Sequence, residues 1–321
     1  MVGALTRYRW LSTGLLVLVG ITAPLIFSSP YHREIMVMAV IFIILASGLN
    51  IILGYTGLLA FGYTAFFAIG AYVATLVSIH IAPPFWLAIL ISAVFTAAIA
   101  YLLGYLCLRL HGPYFAIMTF AFSEVIRLIV SNWVSVTNGP MGLRNPNVAS
   151  IRIPGIVELP LSSEIAFYYV AFVLMVLLLA GKFWMIEGAF GRAIIGLREN
   201  ERLASAVGID PFRFKLQAWI VSAVFAGVAG AIYAMYFRIV DPTLFSLYYV
   251  FLCFSMVLIG GAGTFIGPVF GAVMFTVLPE ALRVSQNYRM AIFAALLLAF
   301  VVLAPNGLAG LISGVKRRLE T

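Results

Sequence analysis

Long apolar runs separated by short polar gaps follow one another along almost the whole chain. A helix needs about 20 apolar residues to cross the hydrocarbon core of a bilayer, and its backbone must be hydrogen-bonded internally or sheltered by protein. The pattern therefore predicts an all-α polytopic membrane protein with about ten transmembrane helices in a single domain, residues 1–321. The ten runs span residues 10–27, 35–53, 58–79, 85–108, 114–133, 165–184, 216–237, 245–259, 265–282 and 290–303.

Two of the ten runs are short, and the first run resembles a signal peptide. The eighth and tenth runs either use flanking residues to complete a crossing or form broken helices packed inside protein. Arg7 and Arg9 precede the first run, and basic residues before an apolar stretch are also typical of a signal peptide. The one acceptable cleavage site, after Ala23, would however place Pro24 directly behind the cleaved bond. We therefore expect the first run to be a retained helix.

The composition supports the membrane assignment and excludes several other classes of protein. Hydrophobic residues make up 64% and charged residues 9% of the chain, and the mean hydropathy is +1.12. Soluble domains carry about 25% charged residues, so a soluble enzyme, a disordered chain and a disulfide-rich secreted domain are excluded. The net charge of +8 comes from scattered basic residues, so we expect no nucleic-acid partner. The cysteines and histidines stand apart, so we expect no metal site.

The distribution of Lys and Arg predicts the orientation of the chain. With a cytoplasmic N-terminus, twelve of the 19 basic residues fall on the cytoplasmic side and six on the other side, with Arg127 inside a run. Basic residues concentrate on the cytoplasmic side of membrane proteins. We therefore expect both termini to be cytoplasmic, because ten crossings return the chain to its starting side.

Two polar segments interrupt the apolar pattern, one on each side of the predicted membrane. Residues 134–164 contain several Gly, Asn and Pro residues, which indicate an ordered external loop of turns. Residues 185–215 form the predicted cytoplasmic loop. The stretch from Lys182 to Lys215 holds 10 of the 30 charged residues within 34 positions. This concentration indicates a docking surface.

The cytoplasmic loop carries the signals of a short surface helix. Asn200 is a candidate N-cap, and Glu201 complements the positive end of the helix. Gly208 supplies a left-handed stop, after which Asp210 and Pro211 begin the next helix. Such a helix either passes force to a soluble partner or is an ordinary amphipathic helix at the membrane surface. The candidate coupling residues are Gly191, Arg192, Arg198, Glu199, Asn200, Glu201, Arg202, Ala204 and Gly208.

Glu124 and Arg127 are the main charges predicted inside the membrane. Glu124 lies ten residues into the fifth run, ~15 Å along a helix and close to the midplane. Residues three apart share a helix face, so the two side chains can pair. They either line or gate a substrate path or form a structural ion pair, with each other or with another subunit, and the structural alternative is favoured. The candidate substrate-pathway residues are Gly57, Glu124, Arg127, Asn138 and Gly139.

Long and specific residue strings occur in three stretches, at 48–74 (beginning GLNIILGYTGLLAFG), 112–143 (ending TNGPMGL) and 191–231 (beginning GRAIIGLRENERLASAVGID). They resemble the LivM-type permease subunits of branched-chain amino-acid ABC importers, and the resemblance covers nearly the whole chain. It implies a type II ABC importer-like permease in the bacterial cytoplasmic membrane. It also implies a second, homologous permease in a heterodimer, two ATPase subunits that bind ATP and Mg²⁺, and an extracytoplasmic substrate-binding protein.

The same resemblance implies a function for the chain. It places the helix around residues 199–208 in a groove of the ATPase as a coupling helix, and it names leucine, isoleucine or valine as the solute. The chain has no GxxxxGK[ST] motif, so we expect it to bind no cofactor and to leave ATP hydrolysis to its partners. The alternatives are a permease for urea, amides or aromatic acids, and a stand-alone secondary transporter. A membrane-embedded enzyme is not supported, because the runs contain no candidate nucleophile with a base.

Overall fold

The computed structural model describes residues 20–22, 24, 29–81, 83–110, 112–144, 150–153, 157–160 and 163–281. Most of the first predicted span, the whole of the tenth span and both chain termini lie outside the described residues. The retained first helix and the cytoplasmic termini therefore stay predictions.

Helices account for most of the described residues. In chain order they are α1 (Pro30–Asn50), α2 (Tyr63–His80), α3 (Phe85–Cys107), α4 (Pro113–Asn132), α5 (Val134–Thr137), α6 (Glu164–Glu187), α7 (Ala189–Glu199), α8 (Glu201–Ala206), α9 (Pro211–Phe237), α10 (Leu247–Gly260) and α11 (Gly267–Ala281). A π-helical turn, Ile51–Tyr55, extends α1, and 3₁₀ turns cover Gly139–Met141 and Pro242–Phe245.

Within the described residues, six helices are long and apolar enough to cross a membrane: α1 with its π turn, α2, α3, α4, α6 and α9. Their ends lie within about five residues of six predicted runs, and α10 and α11 correspond to two more. The eighth run becomes α10, which has 14 residues and spans ~21 Å, against a hydrocarbon core of ~30 Å. One face of α10 is buried, with Cys253, Met256 and Val257, and the other face exposes Tyr248, Phe251 and Leu258. The structure therefore supports a short helix that packs against the bundle on one side.

Two small antiparallel sheets accompany the helices, which the all-α prediction did not include. The strands are β1 (Leu143–Arg144), β2 (Ser150–Ile153), β3 (Val157–Pro160) and β4 (Ile239–Val240). β1 pairs with β4, and β2 pairs with β3. Gly and Pro residues interrupt helix formation in this polar segment, so its backbone groups find partners in short ladders instead. The β1–β4 pair fastens the segment to the chain that follows α9.

The core of the bundle lies where α9 packs against α1, α2 and α3. Glycines allow the backbones to touch: a Cβ atom at Gly230 would collide with the carbonyl oxygen of Phe67, and one at Gly70 would collide with that of Gly227. Small residues permit such close approach between membrane helices. These glycines therefore serve packing within this subunit.

The spans differ in how far the subunit itself buries them. In its most apolar stretch, α1 has 78% of its residues buried, whereas α4 and α6 each have 28%. Helix α1 is thus central, and its backbone accepts further hydrogen bonds: the Ser222 hydroxyl donates to the Gly48 carbonyl oxygen at 2.8 Å, and the Tyr63 hydroxyl donates to that of Leu45 at 2.9 Å. Helices α4 and α6 turn wide faces away from the subunit.

Candidate functional site

Two glycine-containing turns meet at one end of the bundle and form the glycine junction, residues 54–57 and 261–264. A Cβ atom at Gly54 would collide with the backbone nitrogen of Gly263, so this contact requires glycine. The buried Asn50 joins the two turns: its Oδ1 accepts the Gly263 N–H at 2.8 Å, and its Nδ2 donates to the carbonyl oxygen of the next residue at 2.8 Å. The first turn follows the π turn of α1, and such π-helical turns are frequent at functional sites.

The polar loop at the same end of the bundle folds into α7 and α8, which meet at Asn200. The Asn200 side chain caps α8 by accepting the Leu203 N–H at 3.0 Å, and Gly208 has φ of +88° just after the helix. Asp210 caps α9 by accepting the Phe212 N–H at 3.0 Å. These contacts confirm the predicted caps and stop. The separate helix α7 was not predicted; it ends because Asn200 adopts an extended conformation, with φ −155° and ψ 101°.

Arg198, near the end of α7, connects the loop to the glycine junction. Its Nη1 donates a hydrogen bond to the carbonyl oxygen of Gly54. The same atom would lie 2.9 Å from a Cβ at Gly263, and the Arg198 Cγ would lie 3.2 Å from a Cβ at Gly57, where φ is +76°. One guanidinium-bearing side chain therefore touches both turns of the junction. The sequence placed Arg198 in the candidate coupling set without indicating this inward contact.

The other candidate coupling residues divide between exposed and buried positions. Glu201 is half-buried, and its Oε2 accepts a hydrogen bond from Lys215 Nζ at 2.7 Å, which ties α8 to α9. Gly191 and Ala204 are buried and face the subunit. The exposed members are Arg192, Glu199, Asn200, Arg202 and Gly208.

An exposed apolar pair accompanies these polar residues and was missed in the sequence. Leu203 and Val207 are 64% and 72% exposed. They are four residues apart, which is the spacing of neighbours on one helix face. That spacing within the predicted surface helix was the available signal. The pair gives the outer side of α8 a mixed apolar and charged surface of the kind that contacts other proteins.

A cleft of about 210 Å³ opens between α7, α8 and the glycine junction. Thr56 and Gly57 of the junction form one wall, and Arg198, Glu201 and Lys215 form the other. Apolar residues, among them Leu58, Leu108 and Leu197, complete its lining.

Glu124 and Arg127 pair with each other on α4, as their spacing predicts. Arg127 Nε donates to Glu124 Oε1 at 3.0 Å and to Oε2 at 2.9 Å. The side chains are nevertheless 42% (Glu124) and 35% (Arg127) exposed. The buried face of α4 instead carries Phe115, Thr119 and Ser123. The ion pair thus points away from the described part of the subunit.

The remaining candidate pathway residues lie at the two ends of the bundle. Asn138 follows α5 in a left-handed conformation, with φ of +59°, and its Nδ2 donates to the Gly142 carbonyl oxygen at 2.9 Å. Gly139 is buried beside it. Gly57 lies at the opposite end, in the glycine junction. The structure therefore does not bring the five candidate pathway residues together.

The part of the chain that the structure describes forms no candidate metal centre. No group of three or more His, Cys, Asp and Glu residues comes together there. The charged and apolar groups on the outer side of α8 can bind complementary charges and contact other proteins.

Comparison with known proteins identifies the family. The model of the family described as "Branched-chain amino acid transport system / permease component" matches residues 32–301. The chain is 32% identical over 293 residues to the high-affinity branched-chain amino acid transport system permease protein LivM of Salmonella typhimurium (strain LT2), covering 86% of this chain and 69% of the relative. LivM of Escherichia coli (strain K12) gives the same values.

A second group of relatives is more distant. The permease protein LivH of Salmonella typhimurium is 26% identical over 192 residues, which cover 57% of this chain and 60% of LivH. No solved structure is significantly similar to the chain. The match of one family model over most of the chain, together with the identity to LivM, shows that the chain belongs to the permease family of branched-chain amino acid transport systems.

Proposed function

We propose that the chain is a membrane-spanning permease subunit of an ATP-driven importer for leucine, isoleucine and valine. Family membership supports the class of solute, because the relatives are named for branched-chain amino acid transport. The main structural support for coupling to ATPase subunits is the hydrogen bond from Arg198 to the Gly54 carbonyl oxygen. It links a charged surface loop directly to the interrupted end of the central helix α1.

The proposed assembly contains several other subunits. A second, homologous permease completes the passage in a heterodimer, and the weaker similarity of this chain to LivH supports such a pair. Two ATPase subunits bind ATP and Mg²⁺, and an extracytoplasmic binding protein delivers the solute. The permease lies in the bacterial inner membrane as a type II importer with about ten spans, and α7, α8 and both termini are cytoplasmic.

The proposed docking surface for the ATPases is the outer side of α7 and α8. It combines the exposed charges of Arg192, Glu199 and Arg202 with the apolar pair Leu203 and Val207. Movement of the ATPases displaces α7, and Arg198 carries this displacement to both turns of the glycine junction. The helices that end there, α1 and α10, then reorient and open the passage alternately to each side.

The proposed passage runs along the outward face of α4. Charges that face lipid at membrane depth are unfavourable, so Glu124 and Arg127 require water or protein beside them. A zwitterionic amino acid presents one carboxylate and one ammonium, and each member of the ion pair complements one of them. In this arrangement Asn138 and Gly139 lie near the external mouth, and Gly57 lies near the cytoplasmic mouth.

Reconstitution into liposomes tests the proposal. We expect leucine uptake only when this chain is combined with its second permease, both ATPases, binding protein and ATP. Uptake by this chain alone, driven by an ion gradient, would identify a stand-alone secondary transporter and refute the proposal. Uptake of urea, amides or aromatic acids in place of leucine would retain the assembly and reassign the solute.

A further inference from the structure

One lysine lies fully buried in a membrane-spanning helix. Lys182 of α6 is 1% exposed, although its neighbours Gly181 and Trp184 on the same helix are exposed. Among the described residues, its Nζ has neither a hydrogen-bond acceptor nor an ion-pair partner. A buried amine without an acceptor is unfavourable, most of all as an ammonium. Such residues within membrane spans are rare and usually functional.

Two aromatic rings enclose the amino group of Lys182. Its Nζ lies 5.8 Å from the centroid of the Tyr55 ring and 5.4 Å from that of the Phe265 ring. Phe183, the next residue of α6, packs edge-on against the same Phe265 ring, with centroids 5.6 Å apart. The attraction of a cation to an aromatic face is smaller than the desolvation cost of burying it. Contact with water would therefore lower the free energy of the Lys182 amino group.

Both rings are attached to the glycine junction. Tyr55 follows Gly54, whose carbonyl oxygen accepts the Arg198 hydrogen bond. Phe265 directly follows the second turn, which contains two glycines with positive φ. The walls around Lys182 are thus fixed to the two turns that Arg198 contacts. A displacement of α7 that withdraws Arg198 would remove a contact shared by the turns that carry Tyr55 and Phe265.

We propose that Lys182 is a positioning residue that makes the closed glycine junction less favourable relative to an open one. Opening separates Tyr55 from Phe265 and lets water reach the amino group. The lysine thereby narrows the free-energy gap between the two arrangements, so that a small displacement of α7 is enough to switch them. Only the origin of that displacement rests on the proposed function; the effect of Lys182 on opening does not.

Thiol labelling of the full chain in lipid nanodiscs measures the opening. Cys107 and Cys253, both buried, are first replaced by Ala. Thr56→Cys then reports on the junction, because Thr56 is only 5% exposed where it lines the cleft and becomes more accessible when the two turns separate. The labelling rate follows the open population when opening and closing are fast.

We expect the uncharged variant Lys182→Met to lower the labelling rate of this reporter by about tenfold or more, since it removes the group that favours opening. Lys182→Leu, a second uncharged variant, is expected to act in the same way. Lys182→Arg keeps a cation and is expected to keep a rate close to that of the unsubstituted chain.

Met185→Leu is the matched control. Met185 lies three residues after Lys182 on α6, and the substitution replaces one uncharged side chain with another of similar volume. It is expected to leave the labelling rate unchanged. A purely structural lysine would alter thermal stability but not the rate. Equal labelling of the Lys182 and Lys182→Met chains would therefore overturn the proposal. An importer that fails to move leucine would refute the proposed function, whereas this comparison of rates would still stand.

Discussion

Arg198 shows how a single side chain joins parts of the chain that are far apart in sequence. Its guanidinium bonds to a carbonyl 144 positions away and approaches the turn between α10 and α11. Arg192 of the same helix is exposed as well, but among the described residues its Nη1 donates to the nearby Glu187 carbonyl oxygen, at 3.1 Å. The two arginines therefore provide a matched comparison between an inward contact and a local one.

Removing the Arg198 contact is expected to uncouple transport from ATP hydrolysis. Arg198→Ala leaves the outer surface of α8 unchanged, so the ATPases should still bind, but movement of α7 no longer reaches Gly54. We expect ATP-driven leucine uptake by the reconstituted complex to fall about 5-fold or more, in the range of typical coupling free energies. Arg192→Ala is the control and should retain uptake. Equal uptake by both variants would show that Arg198 is not the link.

The two members of the ion pair on α4 are expected to be energetically coupled. Glu124→Gln alone leaves Arg127 unpaired at membrane depth, and Arg127→Gln alone leaves Glu124 unpaired. Each single variant should lower the stability of the purified chain more than the double variant does, with an interaction free energy of about 0.3–1 kcal/mol, because both side chains are partly exposed. Thermal unfolding in detergent measures this difference. Additive effects would mean that the two charges act independently.

The helix caps of the polar loop could be predicted from sequence, whereas its contacts with distant parts of the chain could not. Asn200 and Asp210 cap helices within two or three residues of themselves, so residue type and spacing suffice to find them. The Arg198 contact depends on where α1 ends in space, which a local pattern does not contain. The same is true of Lys182, whose burial results from the arrangement of Tyr55 and Phe265.

At the scale of elements, hydrophobic runs located the spans and missed the break between α7 and α8. A run of about 20 apolar residues predicts a membrane helix wherever it occurs, and six long helices follow that rule. The break at Asn200 lies in a polar segment, where no hydrophobic run marks the helix boundaries. The β1–β4 pair was also missed, because strands of two residues leave no alternating pattern to detect.

Because α9 and α2 are closely packed, replacing a glycine at their contact should lower stability much more than replacing a glycine elsewhere. Gly230→Ala would place a Cβ against the carbonyl oxygen of Phe67, which is backbone and cannot move aside alone. We expect this variant to lower the free energy of unfolding by ~1–3 kcal/mol, measured by denaturation in detergent. Gly181→Ala on α6 is the matched control, since its Cβ would meet nothing within 4 Å. A stable Gly230→Ala variant would contradict the observed α9–α2 packing.

At the scale of the whole molecule, the outward faces of the spans differ in chemistry. Helix α3 exposes apolar side chains such as Leu90, Val94 and Leu102, as a lipid-facing helix does. Helix α4 exposes apolar residues together with the Glu124–Arg127 pair. Because lipid cannot solvate this pair, the α4 face is the expected contact with the second permease or with the passage between the two permeases.

Cysteine cross-linking between subunits distinguishes these two faces. In a chain with Cys107→Ala and Cys253→Ala, Val125→Cys places a thiol beside Glu124 on α4, at a position that is 53% exposed. We expect it to cross-link to the second permease in membranes of cells that produce the whole assembly. Leu102→Cys on α3, at a position 65% exposed, is the control and should remain unlinked because it faces lipid. Cross-links from Leu102→Cys and none from Val125→Cys would place the partner against α3, and the ion pair on α4 would then need another source of solvation.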